Sequence, residues 1–277
     1  MTPTASMRVL ARRAFEAVPA LASTYRSFRD ALPVRGEGIQ TSFGFVFSGN
    51  EAMARGAFEP HETALVLELL ADAEVVINCG ANIGYYVCLA LQKNRHVVAF
   101  EPAAENLKHL YKNLSDNGFS DFELYPLALS DKEGLLHLFG GGTGASLVPG
   151  WAGASESYRR TYPCVRLDTV IGDRFAGRRM LVIVDVEGGE EAVLGGASRL
   201  IRANPRPTWM IEMSAWRHAP DKEAAWSAMK RLFNEMGGAG YRCFTTDPSR
   251  AELKAPAISD ALTNRRLAWE SDNYLFR

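Results

Sequence analysis

The stretch VVINCGANIGYYVCLAL, residues 75–91, decides the fold that we expect for this chain. Its first three residues are apolar and β-branched, which is typical of a strand buried on both faces. Gly80 and Gly84 then let the backbone turn sharply, and a helix is predicted to begin at about residues 84–86. A strand, a glycine turn and a helix predict free backbone N–H groups at the carboxyl edge of a parallel sheet, where nucleotides bind.

The spacing of the glycines indicates which nucleotide is bound. A dinucleotide-binding turn reads G-x-G-x-x-G, with a middle glycine against the pyrophosphate, whereas Asn82 stands at that middle position here. The next apolar run, residues 96–100, is followed by Glu101 about 20 residues beyond Gly80, which is the spacing of a carboxylate that accepts both ribose hydroxyls. The alternative is an ordinary glycine turn and an ordinary surface glutamate, and the combination of turn and acid argues against it.

Two later apolar runs bring more carboxylates to the same edge of the sheet. Residues 180–184 read as a strand that is followed by Asp185 and Glu187, and residues 208–213 repeat the arrangement and deliver Glu212. Carboxylates at the end of a buried strand are costly without a purpose, so this edge is the predicted active site. We expect no obligatory metal; the alternative is that these three side chains hold a hard cation such as Mg²⁺ through their oxygens.

Four motifs resemble those of a known family, the FkbM type of S-adenosylmethionine-dependent methyltransferases with the class I fold. The motifs are NCGANIGYY (78–86), FEPAAEN (100–106), LALSD (127–131) and VDVEGGE (184–190). The resemblance extends from about Phe58 to the C-terminus, and the first and fourth motifs together are fairly specific. It implies an α/β fold with a doubly wound, mostly parallel, Rossmann-like sheet, whose last two strands, at 241–245 and 273–276, form an antiparallel pair.

The resemblance also implies that S-adenosylmethionine is the cofactor and that it lies across the glycine turn. The residues that it assigns to cofactor binding are Asn78, Gly80, Ala81, Asn82, Gly84, Tyr85, Glu101, Ala128, Leu129 and Asp185. Ala128 and Leu129 end a predicted strand, where small apolar surface suits the flat face of adenine. The family usually has Asp at the position of Asn78, which faces the amino group of the cofactor's methionine part, so we expect binding that is weakened but survives.

The expected reaction is O-methylation of a hydroxyl on a sugar, a glycan or a secondary metabolite, as the resemblance implies. An alcohol is a poor nucleophile at neutral pH and needs a positioned base. Asp185 and Glu212 are the predicted bases, and His218, in the loop that follows Glu212, is the third candidate. Two alternatives remain: a nicotinamide oxidoreductase, against which the missing middle glycine argues, and a catalytically silent binding protein, for which Asn78 is the main reason.

Composition argues against several kinds of partner. Lys and Arg number 31 against 32 Asp and Glu, for a net charge of −1, so no broad positive field attracts nucleic acid. No apolar stretch approaches the ~18 residues that a membrane span needs, and the N-terminus lacks the pattern of a secretory signal, which predicts a cytoplasmic enzyme. The four cysteines form no C-x-x-C pair and are expected to be reduced and structural.

We expect the chain to have two parts, an N-terminal helical and β appendage at residues 1–57 and an S-adenosylmethionine-binding methyltransferase domain at 58–277. Residues 1–32 are rich in Arg and carry apolar residues at near-helical spacing. This pattern fits an amphipathic docking helix. It also fits a helix that covers the active site or pairs two copies in a homodimer, or an organellar transit segment.

A glycine-rich stretch, residues 140–160, separates two further predicted strands. It is too rich in glycine for regular structure, and a loop of more than ~15 residues in a compact domain is usually functional or disordered. We therefore predict a mobile lid, with Ser146, Trp151, Tyr158 and Arg159 available to touch a substrate.

Overall fold

The computed structural model describes residues 34, 36–153, 156 and 158–277. One compact unit comprises Gly36–Arg277. The predicted boundary between residues 57 and 58 falls inside this unit. The helix predicted within residues 1–32, with its docking, covering, dimer and transit interpretations, lies outside the described residues.

The described residues form thirteen strands and nine α-helices. The strands are β1 (Ile39–Gln40), β2 (Val46–Phe47), β3 (Val75–Cys79), β4 (His96–Phe100), β5 (Phe122–Tyr125), β6 (Ala128–Leu129), β7 (Gly134–Phe139), β8 (Arg159–Val165), β9 (Met180–Val184), β10 (Thr208–Glu212), β11 (Cys243–Thr245), β12 (Glu252–Leu253) and β13 (Asn273–Phe276). The helices are α1 (Glu51–Ala54), α2 (Pro60–Leu69), α3 (Tyr85–Gln92), α4 (Ala104–Asp116), α5 (Leu167–Ile171), α6 (Glu190–Gly195), α7 (Ala215–His218), α8 (Lys222–Gly238) and α9 (Ala255–Asn264).

The central sheet has eight strands in the order β12-β11-β13-β10-β9-β3-β4-β5. The five strands from β10 to β5 run parallel, whereas β13 is antiparallel to both β10 and β11. Because β3 and β9 are neighbours, the residues that follow these two strands meet at the carboxyl edge. The predicted doubly wound, mostly parallel α/β sheet and its antiparallel pair of last strands are confirmed.

Two apolar cores, one on each face of the central sheet, hold the helices in place. On one face Ile77, Val182 and Trp209 pack against α5, α6 and α8. On the other face Val76 and Ile183 pack against α2, α3 and α4. Neighbouring strand residues serve opposite faces because the side-chain period of a strand is two. Both faces are apolar, as parallel strands covered by helices require.

A second sheet has three strands in the order β6-β8-β7. β6 runs parallel to β8, and β8 runs antiparallel to β7 from the pair Gly134 and Cys164 to the pair Phe139 and Arg159. The strands predicted on either side of the glycine-rich stretch are therefore hydrogen-bonded partners. That stretch connects them at one end of this sheet.

The four cysteines, at positions 79, 88, 164 and 243, are buried free thiols. This confirms the prediction that they are reduced and structural. Among the helices of the described residues, none is long and apolar enough to cross a membrane.

Asn113 of α4 fastens three segments of the polypeptide together and has no exposed surface. Its Nδ2 donates to the carbonyl oxygen of Ile83 in the glycine turn at 2.8 Å and to that of Ser48 at 3.1 Å. The backbone N–H of Ser48 donates to its Oδ1 at 2.8 Å. One side chain thus connects α4 with the turn after β3 and with the segment after β2.

We predict that Asn113→Ala lowers the free energy of unfolding by about 3 kcal/mol, because buried backbone groups lose their partners and each costs roughly 1–3 kcal/mol. Urea denaturation followed by circular dichroism measures this. Tyr111→Ala, on the exposed face of the same helix, is the matched control and should change stability by less than about 0.5 kcal/mol. Equal losses in the two variants would contradict the role given to Asn113.

Candidate active site

A cavity opens at the carboxyl edge of β3, β4 and β9, and we call it the glycine-turn cavity. The lining residues are Gly80, Asn82, Phe100, Glu101, Pro102, Asn106, Leu127, Ala128, Leu129, Leu138, Gly142, Ala145, Leu147, Asp185, Val186 and Glu187. Six of the ten residues predicted to bind the cofactor are among them, namely Gly80, Asn82, Glu101, Ala128, Leu129 and Asp185. Residues that are distant in sequence therefore meet here because their strands end at one edge.

The other four predicted cofactor residues do not line this cavity. Asn78 is 2% exposed within β3, and Ala81 is buried in the turn. Gly84 packs so closely that a Cβ on it would lie 2.2 Å from Leu110 Cδ1. Tyr85 belongs to an aromatic cluster with three phenylalanines, because this side of α3 faces the apolar core.

The glycine turn depends on the close approach of two backbone segments. Gly80 has φ of +83°, and a Cβ on it would lie 1.8 Å from the carbonyl oxygen of Asp185. The backbone N–H of Asp185 in turn donates to the carbonyl oxygen of Cys79 at 3.0 Å. Only glycine fits at position 80, and this fit brings Asp185 against the turn.

The backbone N–H groups of the turn are already occupied, contrary to the sequence prediction that they are free. Those of Gly80 and Ala81 donate to the carbonyl oxygen of Phe100 at 3.0 and 2.8 Å. That of Asn82 donates to Oε2 of Glu101 at 2.7 Å. The end of β4 runs alongside the turn and accepts these hydrogen bonds. A ligand in the cavity would therefore pack against bare backbone at Gly80, and it would not find free N–H donors at Gly80, Ala81 or Asn82.

Glu101 follows β4, and both of its carboxylate oxygens are engaged. Oε1 accepts from the backbone N–H of Ala103 at 2.9 Å and from Nδ2 of Asn106 at 3.1 Å, while Oε2 accepts from Asn82. The residue is 5% exposed, and this burial raises its pKa to about 7, although the three hydrogen bonds lower it. A carboxylate has about four lone-pair sites, so about one remains, on Oε2, for a ligand. The predicted capacity for two ribose hydroxyls is correspondingly reduced.

Asp185 and Glu212, two of the predicted bases, are neighbours. Oδ1 of Asp185 is buried and has no hydrogen-bond partner among the described residues. Burial, followed by the negative charge of Glu212, raises the pKa of Asp185 well above its usual range. Asp185 therefore ionises reluctantly in this setting.

Glu187 lies beside this pair in a strained backbone conformation. Its φ of +53° falls in the left-handed region, which is uncommon for residues other than glycine. Its Oε2 accepts from Nε1 of Trp151 at 2.8 Å, and its carbonyl oxygen accepts from Oγ of Ser146. Burial raises its pKa to about 7, and the charge of Glu212 acts in the same direction. Two residues of the glycine-rich stretch therefore hold Glu187.

The glycine-rich stretch contributes Gly142, Ala145 and Leu147 to the wall of the cavity. Of the residues predicted to touch a substrate, Ser146, Trp151 and Tyr158 are buried, with exposures of 0%, 2% and 5%, because they anchor the stretch to the protein. Arg159 begins β8 and is exposed. The predicted mobility stays a prediction.

A second depression adjoins the cavity, and we call it the acidic cleft. Its lining residues are Glu59, His61, Glu62, Glu212, Arg217, Thr246, Asp247, Glu270, Ser271, Asp272 and Asn273. Six carboxylates face it, and Arg217 pairs with one of them, Asp272, at 2.9 Å. Glu212 lines the cleft and also raises the pKa of Asp185 and Glu187 in the glycine-turn cavity. Glu212 therefore lies between the two depressions.

His218, the third predicted base, lies outside both depressions. It is exposed, and its ring centroid lies 5.5 Å from that of Trp151. Its ring therefore packs against the glycine-rich stretch rather than lining either depression.

Sequence reasoning missed Glu59, which lines the acidic cleft. Oε2 of this residue accepts a hydrogen bond from Oη of Tyr86 at 2.6 Å. An acidic residue before a proline at a helix start is accounted for by the helix dipole alone. A discriminating signal was present, since helices prefer Ser, Thr, Asp or Asn before their first residue and this one has Glu.

Among the residues that the structure describes, no group of three or more His, Cys, Asp or Glu side chains is arranged to hold a metal ion. The Mg²⁺ alternative for Asp185, Glu187 and Glu212 therefore has no support in their geometry.

Comparisons with known proteins agree with the motifs of the cavity. The model of the "Methyltransferase FkbM domain" matches residues 78–243. No protein of curated function matches the sequence. Among solved structures, a precorrin-6y C5,15-methyltransferase from Geobacter metallireducens is 11% identical, with 86% of this chain and 97% of that chain covered and a TM-score of 0.42.

Two further solved structures are O-methyltransferases. TomG from Streptomyces achromogenes, involved in tomaymycin synthesis, is 12% identical, with 83% of this chain and 90% of that chain covered and a TM-score of 0.45. An enzyme from Bacillus cereus is 9% identical, with 81% and 83% covered and a TM-score of 0.43.

The residues matched by the family model make up more than half of the chain. They contain the glycine turn, Glu101, Asp185, Glu187 and Glu212, which are the parts that line the cavity and join it to the acidic cleft. The chain belongs to the FkbM family of S-adenosylmethionine-dependent methyltransferases.

Proposed function

We propose that this enzyme methylates a hydroxyl group of a sugar, a glycan or a secondary metabolite. The observation that carries the proposal is the buried, unpartnered Oδ1 of Asp185, beside Glu212 at the junction of the two depressions. An unpaired buried acceptor favours a ligand that donates a hydrogen bond, as a hydroxyl does. The polar lining of the acidic cleft favours a polyhydroxylated molecule over an apolar one.

The residues of the glycine-turn cavity fit S-adenosylmethionine. Glu101 retains an acceptor site for a ribose hydroxyl, and Ala128 and Leu129 offer small apolar surface to an adenine ring. Gly80 keeps the wall between these two surfaces free of a side chain. When bound, this cofactor supplies a methyl group that is already activated on a cationic sulfur.

In such a site Asp185 and Glu212 would bind and orient the cofactor and the acceptor hydroxyl. A cation placed beside Asp185 favours its ionised form and offsets the cost of its burial. The oxygens of both carboxylates can also hold the donating hydroxyl of the acceptor in line with the methyl group, and such orientation is a large part of rate enhancement. The hydroxyl proton must then go to a carboxylate at this edge.

Glu101→Gln should weaken binding of S-adenosylhomocysteine by about 10- to 100-fold, because a hydrogen bond to a charged group contributes roughly 1.5–3 kcal/mol. Since the pKa of Glu101 is raised to about 7 and hydroxyl donors favour its ionised form, wild-type affinity should rise as pH increases through 7. That rise should be smaller in the variant. Calorimetric titration measures both effects, with Glu123→Gln on β5, outside the cavity, as the control. Unchanged affinity in Glu101→Gln would remove Glu101 from the cofactor site.

Asn78 does not line the glycine-turn cavity, and the family resemblance alone places it opposite the cofactor's amino group. On that placement, Asn78→Asp should tighten binding of S-adenosylmethionine, because a charge replaces a neutral amide. Affinity for 5′-methylthioadenosine, which lacks the amino-acid part, should stay unchanged and serves as the control ligand. If the variant binds both ligands as the wild type does, the departure from the family pattern at position 78 has no energetic meaning.

Asp185→Asn and Glu212→Gln should each lower turnover by about 10²-fold, the usual cost of a misplaced reactant. His218→Ala should leave it near the wild-type value, because His218 lies outside both depressions. The acceptors are a panel of methyl glycosides of common hexoses, and the product is detected by mass spectrometry as the added methyl group. Near-wild-type turnover in Asp185→Asn and Glu212→Gln would refute their assignment. A wild-type enzyme that binds NADH rather than S-adenosylhomocysteine would refute the proposed function.

A further inference from the structure

Glu59, which immediately precedes α2, has a backbone conformation that helix formation does not explain. Its φ of +41° and ψ of +62° are left-handed, although it is not glycine and it precedes Pro60. It occupies the N-cap position without making a side-chain capping bond. Strained residues of this kind persist where the surrounding structure holds them, and they cluster at functional sites.

The side chain of Glu59 is held by the helix that follows the glycine turn. Oη of Tyr86, in the first turn of α3, donates to Oε2 at 2.6 Å, and Tyr86 is 7% exposed. Oε1 makes no hydrogen bond to the described residues, and Glu59 lines the acidic cleft. One oxygen is therefore fixed and the other is available to a molecule in the cleft.

The surroundings of Glu59 suit a group that takes up a proton at neutral pH. Burial raises its pKa to about 7, the bond from Tyr86 lowers it, and the charges of Glu212, Glu62 and Glu187 raise it. The cleft also contains His61, and Arg217, which is paired with Asp272. A general base works best when its pKa lies near the working pH.

The neighbouring carboxylates are committed to other contacts. Burial raises the pKa of Asp185 well above its usual range, and the charge of Glu212 acts in the same direction, so Asp185 ionises reluctantly and is a poor base. Oε2 of Glu187 is bonded to Trp151. Glu187 is held as Glu59 is, by one donor on Oε2, but it lines the glycine-turn cavity, whereas Glu59 lines the acidic cleft and keeps Oε1 open to a molecule there.

We infer that Glu59 is the general base of the proposed O-methylation, on which this inference rests, and that Tyr86 is a positioning residue that aims it. The acceptor oxygen forms a bond to the methyl carbon as the carbon–sulfur bond breaks, and the electron pair of the broken bond stays on sulfur. The hydroxyl proton goes to Oε1 of Glu59. The products are a methyl ether, S-adenosylhomocysteine and protonated Glu59, which then loses its proton to water.

The test compares Glu59→Gln and Tyr86→Phe with a control, Glu68→Gln, which removes a charge from the same helix outside the cleft. The kcat is measured at saturating cofactor with the most rapidly methylated methyl glycoside of the panel, over about two pH units on each side of 7. Affinity for S-adenosylhomocysteine is measured in parallel. Glu59→Gln should bind S-adenosylhomocysteine as the wild type does, yet lose about 10²–10⁴ in kcat together with the rise of kcat through pH 7.

Tyr86→Phe distinguishes positioning from mere packing. Because the lost hydrogen bond lowers the pKa of Glu59, the rise of kcat should move to higher pH while the plateau above it stays close to wild type. Glu68→Gln should match the wild type throughout.

Wild-type kcat in Glu59→Gln, or a parallel loss of kcat and S-adenosylhomocysteine affinity, would overturn the inference. A wild type that methylates no glycoside of the panel would instead remove simple hexosides from the proposed acceptors. The role of Glu59 is then tested by the number of protons released on ligand binding at pH 7, measured by calorimetry in two buffers. S-adenosylmethionine should release more protons than S-adenosylhomocysteine, because the cationic sulfur lowers the pKa of a facing carboxylate. This excess should become smaller in Glu59→Gln, while Asp185 and Glu187 contribute the remainder, and an unchanged excess overturns the inference.

Discussion

The contact between Gly80 and the carbonyl oxygen of Asp185 is the constraint on which the site depends. A Cβ at position 80 would lie 1.8 Å from that oxygen, so the loops that follow β3 and β9 approach as closely as backbones can. This approach carries the carboxylate of Asp185 to the glycine turn and leaves Glu187 and Glu212 beside it. Because Gly80 has no side chain, residues from strands that are far apart in sequence can meet in the glycine-turn cavity.

Burial opposes the ionisation of the carboxyl groups at the carboxyl edge of the sheet. Glu59, Glu101, Asp185 and Glu187 all have pKa values above their ordinary range, and burial is the first cause in each case. Ionisation of these groups is disfavoured until a cation or hydrogen-bond donors arrive. A cationic methyl donor brings a positive charge that favours the ionised carboxylates. The neutral product that remains after methyl transfer does not carry this charge. Burial of these carboxylates therefore favours binding of S-adenosylmethionine over binding of S-adenosylhomocysteine.

The sequence predicted the central sheet and most of the glycine-turn cavity because both depend on local patterns. Apolar β-branched runs gave the parallel strands, and the motifs gave Gly80, Glu101 and Asp185. The occupied N–H groups of the turn escaped prediction, since they depend on how the end of β4 runs alongside it. The acidic cleft escaped too, because Glu59 joins it through a left-handed backbone and a hydrogen bond to Tyr86, 27 residues away. Tertiary contacts of this kind leave no periodic signal.

The way in which the glycine-rich stretch is attached affects how this enzyme can diversify. Both of its ends continue into the paired strands β7 and β8, and the short strand β6, which holds Ala128 and Leu129, pairs with the same β8. Doubling the length of a flexible loop costs only about 0.6 kcal/mol. Insertions between the two paired strands would therefore leave Ala128 and Leu129 in register while they reshape the surface that covers the cavity. Evolution can change the acceptor in this way without rebuilding the methyl donor's binding site.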